Sequence, residues 1–213
     1  MNQIEQEIAR ILLDVGAVTL RPDQPFTWAS GIKSPIYCDN RLLMSFPPAR
    51  QRVREAFCHL IKEKTPNVGL IAGVATGAIA HAAWVSDRLT KPMVYIRGVA
   101  KDHGKQNQVE GKVTPGIEAV VIEDLVSTGG SSIAAIEALR NAGAKVDHCF
   151  SIFSYGFPEA LEQFKKINCQ LTPLTNFPTL LQIAKEGRII SAAQEKILLK
   201  FSADPWKWLE VTC

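Results

Sequence analysis

The chain has 213 residues, of which 46% are hydrophobic and 21% charged, with a formal net charge of +3. That balance supplies core for a folded unit and excludes a disordered or fibrous chain, and the charge is too slight for the clustered basic face of a nucleic-acid binder. No apolar run nears the roughly 18 residues that cross a bilayer, no leader-like apolar stretch opens the chain, and the five cysteines lack Cys-x-x-Cys spacing, so we expect a cytoplasmic protein with reduced thiols and neither membrane nor nucleic-acid partners.

Ile4, Ile8, Ile11, Leu12 and Val15 recur at helical spacing, and Gly16 ends the run, which predicts a first amphipathic helix. Short extended pieces follow at Val18–Leu20, 26–28 and Ile36–Cys38. Pro47 and Pro48 suit the first turn of a helix carrying Val53, Phe57, Leu60 and Ile61, which Pro66 ends before a strand at 68–72. The pattern then alternates: helix 77–89, strand Met93–Ile96, strand 119–123, helix 130–142 closed by Gly143, strand 146–153. Helices over 158–166, 176–186 and 191–202 complete it, with a short strand at 170–172 and a surface tail at Trp206 and Trp208. Such alternation predicts an α/β fold with a central parallel sheet flanked by helices, its ligands gathered at the strand C-termini. No linker or repeat divides the chain, so residues 1–213 read as one domain, a small N-terminal hood of about 17–45 over a core of about 46–213.

Three loops carry the chemistry. The strand at 68–72 runs into GVATGA at 73–78, where glycines let backbone N–H groups face an anion and Thr76 adds a hydroxyl; an ordinary glycine-rich turn is the alternative. Arg97, Lys101, His103 and Lys105 fall within nine residues of a polar loop that ends near Gly111, a cationic lid suited to a polyphosphate, with a solvated surface loop as its alternative. The apolar run EAVVI at 118–122 leads into EDLVSTGGS: Glu123, Asp124, Leu125, Val126, Ser127, Thr128, Gly129, Gly130 and Ser131. Hydroxyls and free N–H groups opening a helix suit a phosphate, and two acids just before them suit a ribose diol or a metal bridging it. A plain strand-to-helix turn with Thr128 as cap is the other reading. A P-loop is excluded because no lysine follows Gly130, and a dinucleotide fingerprint because only an adjacent glycine pair is present.

Four apolar residues, two acids and a downstream Thr-Gly-Gly resemble the phosphoribosyl-diphosphate motif of the type I phosphoribosyltransferases. Phe26 to Asp39 (FTWASGIKSPIYCD) and Arg97 to Lys105 (RGVAKDHGK) are similar to the base-binding segment and catalytic loop of the orotate branch of that family, and the likeness spans nearly the whole chain. The resemblance implies the type I phosphoribosyltransferase fold and transfer of a 5-phosphoribosyl group from 5-phosphoribosyl 1-diphosphate to orotate, giving orotidine 5′-phosphate and diphosphate for pyrimidine synthesis. It implies that the acids hold the ribose hydroxyls, that 125–131 hold the 5-phosphate, and that Thr76 and Gly77 lie in the diphosphate loop. Arg97, Lys101 and His103 would contact the diphosphate with Lys105 nearby, Lys101 being tied most closely to catalysis. Ser127, Lys33 and Tyr37 would face orotate. Mg2+ held mainly by substrate and water, with Glu123 and Asp124 as candidate ligands, and a homodimer with shared active sites are implied as well.

The chain departs from some orotate enzymes at Ala29, at Gly98 and at Tyr155 to Phe157, where those carry basic residues; Lys33, Ser127 or backbone amides are expected to compensate. A purine-type enzyme of the same fold should differ in the 30–35 stretch. A non-catalytic regulator should add a DNA-binding unit or a strongly basic face and could lose the lid cations.

Overall fold

Runs such as Leu70–Val74, buried at every position, suit only a strand covered on both faces. The computed structural model describes residues 3–27, 31, 33–98 and 108–209. In chain order its elements are α1 (Gln3–Asp14), β1 (Val18–Leu20), β2 (Phe26–Thr27), β3 (Lys33–Ser34), β4 (Ile36–Cys38), a 3-10 turn (Asn40–Ser45), α2 (Pro47–Lys64), β5 (Leu70–Val74), α3 (Ile79–Leu89), β6 (Met93–Ile96) and β7 (Val109–Glu110). They continue with β8 (Glu118–Val126), α4 (Gly130–Asn141), β9 (Lys145–Ser154), α5 (Pro158–Lys166), β10 (Gln170–Asn176), α6 (Phe177–Glu186) and α7 (Ala192–Ala203). The main sheet has the order β10-β9-β8-β5-β6-β7, parallel throughout except for the antiparallel edge strand β7.

The two faces carry separate cores. Val120 and Ile122 of β8 join a core with residues from α1, α2, α3, α6 and α7. Ala119 and Val121, one step along the strand each time, join a second core with Ala135, Ile136 and Leu139 of α4 and Phe164 of α5, as the two-residue side-chain period of a strand requires. Two small ribbons, β1 with β4 and β2 with β3, form the N-terminal extended region.

Several elements depart from the sequence expectation. β8 extends past 119–123 to Val126, so the two acids lie inside the strand; pairing of Glu123 with Ser151, Leu125 with Phe153 and Val126 with Ser154 carries it on. β10 has seven residues rather than three, because β9 offers a long partner edge. β3 and β7 were legible in no apolar pattern, each being two residues long and held by its partner strand. Trp28 of the predicted 26–28 piece lies outside the described residues.

The tail divides. Trp206 is 57% exposed, as expected of a surface residue, but Trp208 is 4% exposed. Its ring meets Phe201 edge-on at 5.9 Å, and its Nε1 donates to the Lys33 carbonyl of β3 at 2.8 Å. Tyr155, Phe157 and Phe177 surround the same Phe201. An indole that reaches a polar partner can be buried without a desolvation penalty, and here it joins the end of the described chain to the N-terminal ribbon. Trp208→Ala should lower unfolding free energy by about 3–5 kcal/mol in urea titration; Trp208→Phe, which keeps apolar volume and loses the Lys33 bond, should be milder by more than half.

Candidate active site

The β8–α4 junction is built from the inside out. Alternation along β8 sends Glu123 to the α4 side, where the Ser132 hydroxyl donates to Oε2 at 2.9 Å and the Asp124 N–H reaches Oε1 at 3.1 Å. Glu123 is 4% exposed; burial first, then the neighbouring Asp124 carboxylate, push its carboxyl well above the usual carboxylate range. Asp124 turns to the opposite face, where its carboxylate packs against Gly77 so closely that a side chain at that position would run into it. Gly77 is therefore needed for close approach.

The chain leaves β8 at Val126, crosses Ser127 and Thr128, and enters α4 through Gly129, whose φ of +87° lies in the left-handed region. No side chain caps α4, so Thr128 is not the cap and the first-turn N–H groups stay available to an anion. On the other side of the cleft β5 ends at Val74 and turns through Ala75, Thr76 and Gly77, with a cis Ala75–Thr76 peptide, into α3. Gly73 admits α3: a side chain there would come within 2.8 Å of the Ala82 Cβ.

Together these segments border a cleft of about 610 Å³. Of the residues expected from sequence, Thr76, Gly77, Glu123, Asp124, Leu125 and Ser131 line it. Val126 is 1% exposed and packs in the α4-side core, so only its backbone faces the loop. Thr128 borders a separate slot of about 460 Å³ with Phe157, Pro158 and Trp206. Lys33 and Tyr37 sit on the ribbons rather than on the cleft wall: Lys33 Nζ donates to Thr27 Oγ1 at 2.7 Å, and Tyr37 lies 5.5 Å from the Phe26 ring. Arg97 follows β6, where its Nη1 meets Glu110 Oε1 at 3.1 Å and its N–H bonds the Gln108 carbonyl; this closes the base of the cationic loop. Lys101, His103 and Lys105 lie outside the described residues. Tyr155 and Phe157, where related enzymes were expected to carry a cation, are buried in the aromatic cluster.

Sequence reasoning carried Cys38 and Asp39 only as the end of the expected base-binding segment, with no role of their own, and missed Arg41, which lines the cleft with them, and Asn40, which supports it. Asn40 is 1% exposed and its Nδ2 donates to the Asp124 carbonyl at 2.6 Å. Its backbone also bonds His81 of α3. Asp39 and Arg41 form a two-pronged ion pair, Nε to Oδ1 at 2.6 Å and Nη2 to Oδ2 at 2.8 Å. The available signal was a polar Asp-Asn-Arg triplet directly after an apolar strand. Among the described residues no group of three His, Cys, Asp or Glu side chains is placed to hold a metal.

A family profile described as a phosphoribosyl transferase domain matches residues 45–178. The chain is 52% identical over 202 residues to the orotate phosphoribosyltransferase of Halalkalibacterium halodurans, covering 95% of this chain and 96% of that one. It is 49% identical over 208 residues to that of Enterococcus faecalis, covering 98% and 99%. The crystal structure of orotate phosphoribosyltransferase from Aeropyrum pernix superposes with a TM-score of 0.75 at 30% identity, over 85% of this chain and 98% of that one.

His81 gives the site's scaffold a pH signature. Burial drives its pKa down to about 4, so between about 4 and 6.5 the unfolded chain binds the extra proton and stability falls as pH falls. His81 alone should contribute a loss on the order of 3 kcal/mol across that window, read as the pH-dependent difference between wild type and His81→Gln in urea titrations at stepped pH, because the raised Glu123 carboxyl acts with the opposite sign in both proteins.

Proposed function

The chain belongs to the phosphoribosyl transferase family, and on that premise we infer that it transfers the 5-phosphoribosyl group of 5-phosphoribosyl 1-diphosphate to orotate, releasing diphosphate and forming orotidine 5′-phosphate. The observation that carries the reading is the cleft in which Asp124 faces Thr76 and Gly77 beside the uncapped start of α4. That arrangement offers a phosphate site beside a diol acceptor, next to a second loop for a leaving anion.

The donor's 5-phosphate sits on the α4 N–H groups with the hydroxyls of Ser127, Thr128 and Ser131, Gly129 and Gly130 leaving the backbone bare. Asp124 accepts from the ribose hydroxyls; Glu123, with both oxygens engaged inside the protein, stiffens β8 beneath it. Thr76 and Gly77 face the diphosphate, and Arg97, Lys101, His103 and Lys105 enclose it. Cleavage of the anomeric C–O bond leaves an oxocarbenium-like ribosyl centre while negative charge gathers on the diphosphate, so cations placed around that leaving group lower the barrier. No covalent nucleophile is required. Lys33, Tyr37 and Ser127 receive the acidic base, Tyr37 with Phe26 supplying an aromatic face.

Asp124 is a hard oxygen donor in an open cleft, which fits Mg2+ shared with substrate oxygens better than the enclosed Glu123 does. When bound, Mg2+ neutralises diphosphate charge. The working enzyme is a cytoplasmic homodimer, each chain one domain, with the Arg97 to Lys105 loop completing the partner's site. No helix among the described residues is long and apolar enough to cross a membrane.

Loss of orotate absorbance is followed with Mg2+ and 5-phosphoribosyl 1-diphosphate, with xanthine, hypoxanthine, adenine and uracil run in parallel. Turnover of orotate alone is expected; turnover of another base would overturn the base assignment, and binding without turnover would favour a regulator. Lys101→Ala should lower kcat about 10²- to 10³-fold with KM for the donor far less affected, since its charge acts as diphosphate departs. Asp124→Asn should instead raise that KM about ten-fold by weakening ribose and metal contacts; an unchanged KM would remove Asp124 from the site.

A further inference from the structure

The cleft poses a charge problem. Its described lining carries carboxylates from Asp39, Glu123 and Asp124 but a single cation, Arg41, whereas the donor inferred to bind there is a polyanion. The Thr76 and Gly77 turn supplies dipoles without charge. Glu123 is withdrawn toward α4, so Asp39 and Asp124 set the open side's sign unless a cation is aimed into it.

Arg41 is placed for that. It follows Asn40, whose side chain grips the Asp124 backbone, and it lines the cleft with Thr76 and Gly77 of the second loop as well as with Ser131 of α4. The Asp39 fork engages Nε and one N–H of Nη2; among the described residues Nη1 has no hydrogen-bond partner. With 59% of its side chain exposed, the guanidinium keeps its remaining donors toward the open cleft. Asp39 first, with smaller contributions from Tyr37 and Asp124, deepens its preference for the charged state. A planar cation already held in one plane by a two-pronged partner loses little freedom when a phosphate engages its remaining edge.

We propose that Arg41 binds the diphosphate of the ribosyl donor, and that Asp39 is the positioning residue that aims it. The proposal rests on the reading of the cleft as the 5-phosphoribosyl 1-diphosphate site and adds to it a cation from the N-terminal region, independent of the loop at 97–111.

Calorimetry with magnesium diphosphate and with ribose 5-phosphate, beside steady-state assays, tests it on the full chain. Arg41→Ala should raise the diphosphate Kd and the donor KM about 10- to 100-fold and leave the ribose 5-phosphate Kd within about two-fold. Arg41→Lys should recover part of the loss, returning charge without the fork. Asp39→Asn should weaken diphosphate binding in the wild-type background and add nothing to Arg41→Ala, since both act through one group. Unchanged diphosphate affinity in Arg41→Ala would overturn the proposal, as would an equal loss of ribose 5-phosphate affinity, which would mark a structural role. Because diphosphate binding is read without turnover, failure to use orotate would overturn the function and leave the Arg41 result standing.

Discussion

Two adjacent carboxylates in one strand start toward opposite faces of the sheet, and the site depends on that constraint. Because β8 stays paired with β9 through Val126, Glu123 and Asp124 leave the strand on opposite sides, while their carboxyls stay close enough to interact where both border the cleft. One becomes a buried anchor between β8 and α4, held by Ser132; the other becomes the open acceptor against Gly77. The smallness of residue 77, the approach of α3 past Gly73 and the Asn40 clasp on the Asp124 backbone are conditions for that single outward carboxylate. Had the strand ended before the acids, both would have been loose surface groups.

Much of this was legible in the residues. The alternation of apolar runs and amphipathic helices foretold a parallel sheet, since strands buried on two faces need unbroken apolar runs, and EDLVSTGGS stood out because two acids precede a hydroxyl-rich, glycine-paired turn, several of whose residues border the cleft. What stayed hidden was set by partners far along the chain. The reach of β8 and β10 came from the length of β9, which no local pattern encodes. Asp39, Asn40 and Arg41 look like a polar turn until tertiary packing brings Asn40 to Asp124, 84 residues away. Trp208 read as surface because two tryptophans around a lysine in a short tail carry no helical periodicity, and its burial depends on an aromatic cluster gathered from distant segments.

The cationic loop is anchored differently from the rest of the site. Its two ends are clamped by the β6–β7 pairing and by the Arg97 to Glu110 ion pair, at the edge of the sheet rather than in its middle. A short antiparallel clamp fixes where such a loop starts and returns. The central strands meanwhile carry the β8–α4 turn and Asp124, so the cleft and the Arg97–Glu110 clamp are supported by separate parts of the fold.

The bond from Trp208 to the Lys33 carbonyl spans 175 positions, and this bears on the order of assembly. Chains emerge N-terminal end first and fold as they are made, and a contact between distant positions carries a large loop-closure cost until the intervening sheet exists. The β2–β3 ribbon therefore spends nearly the whole of synthesis without its indole partner. The parallel core can form around β8 and β9 beforehand, but the ribbon's contact with the tail is completed last, so a nascent chain arrested before residue 208 would own the β8–α4 turn before its β2–β3 ribbon was fixed in place.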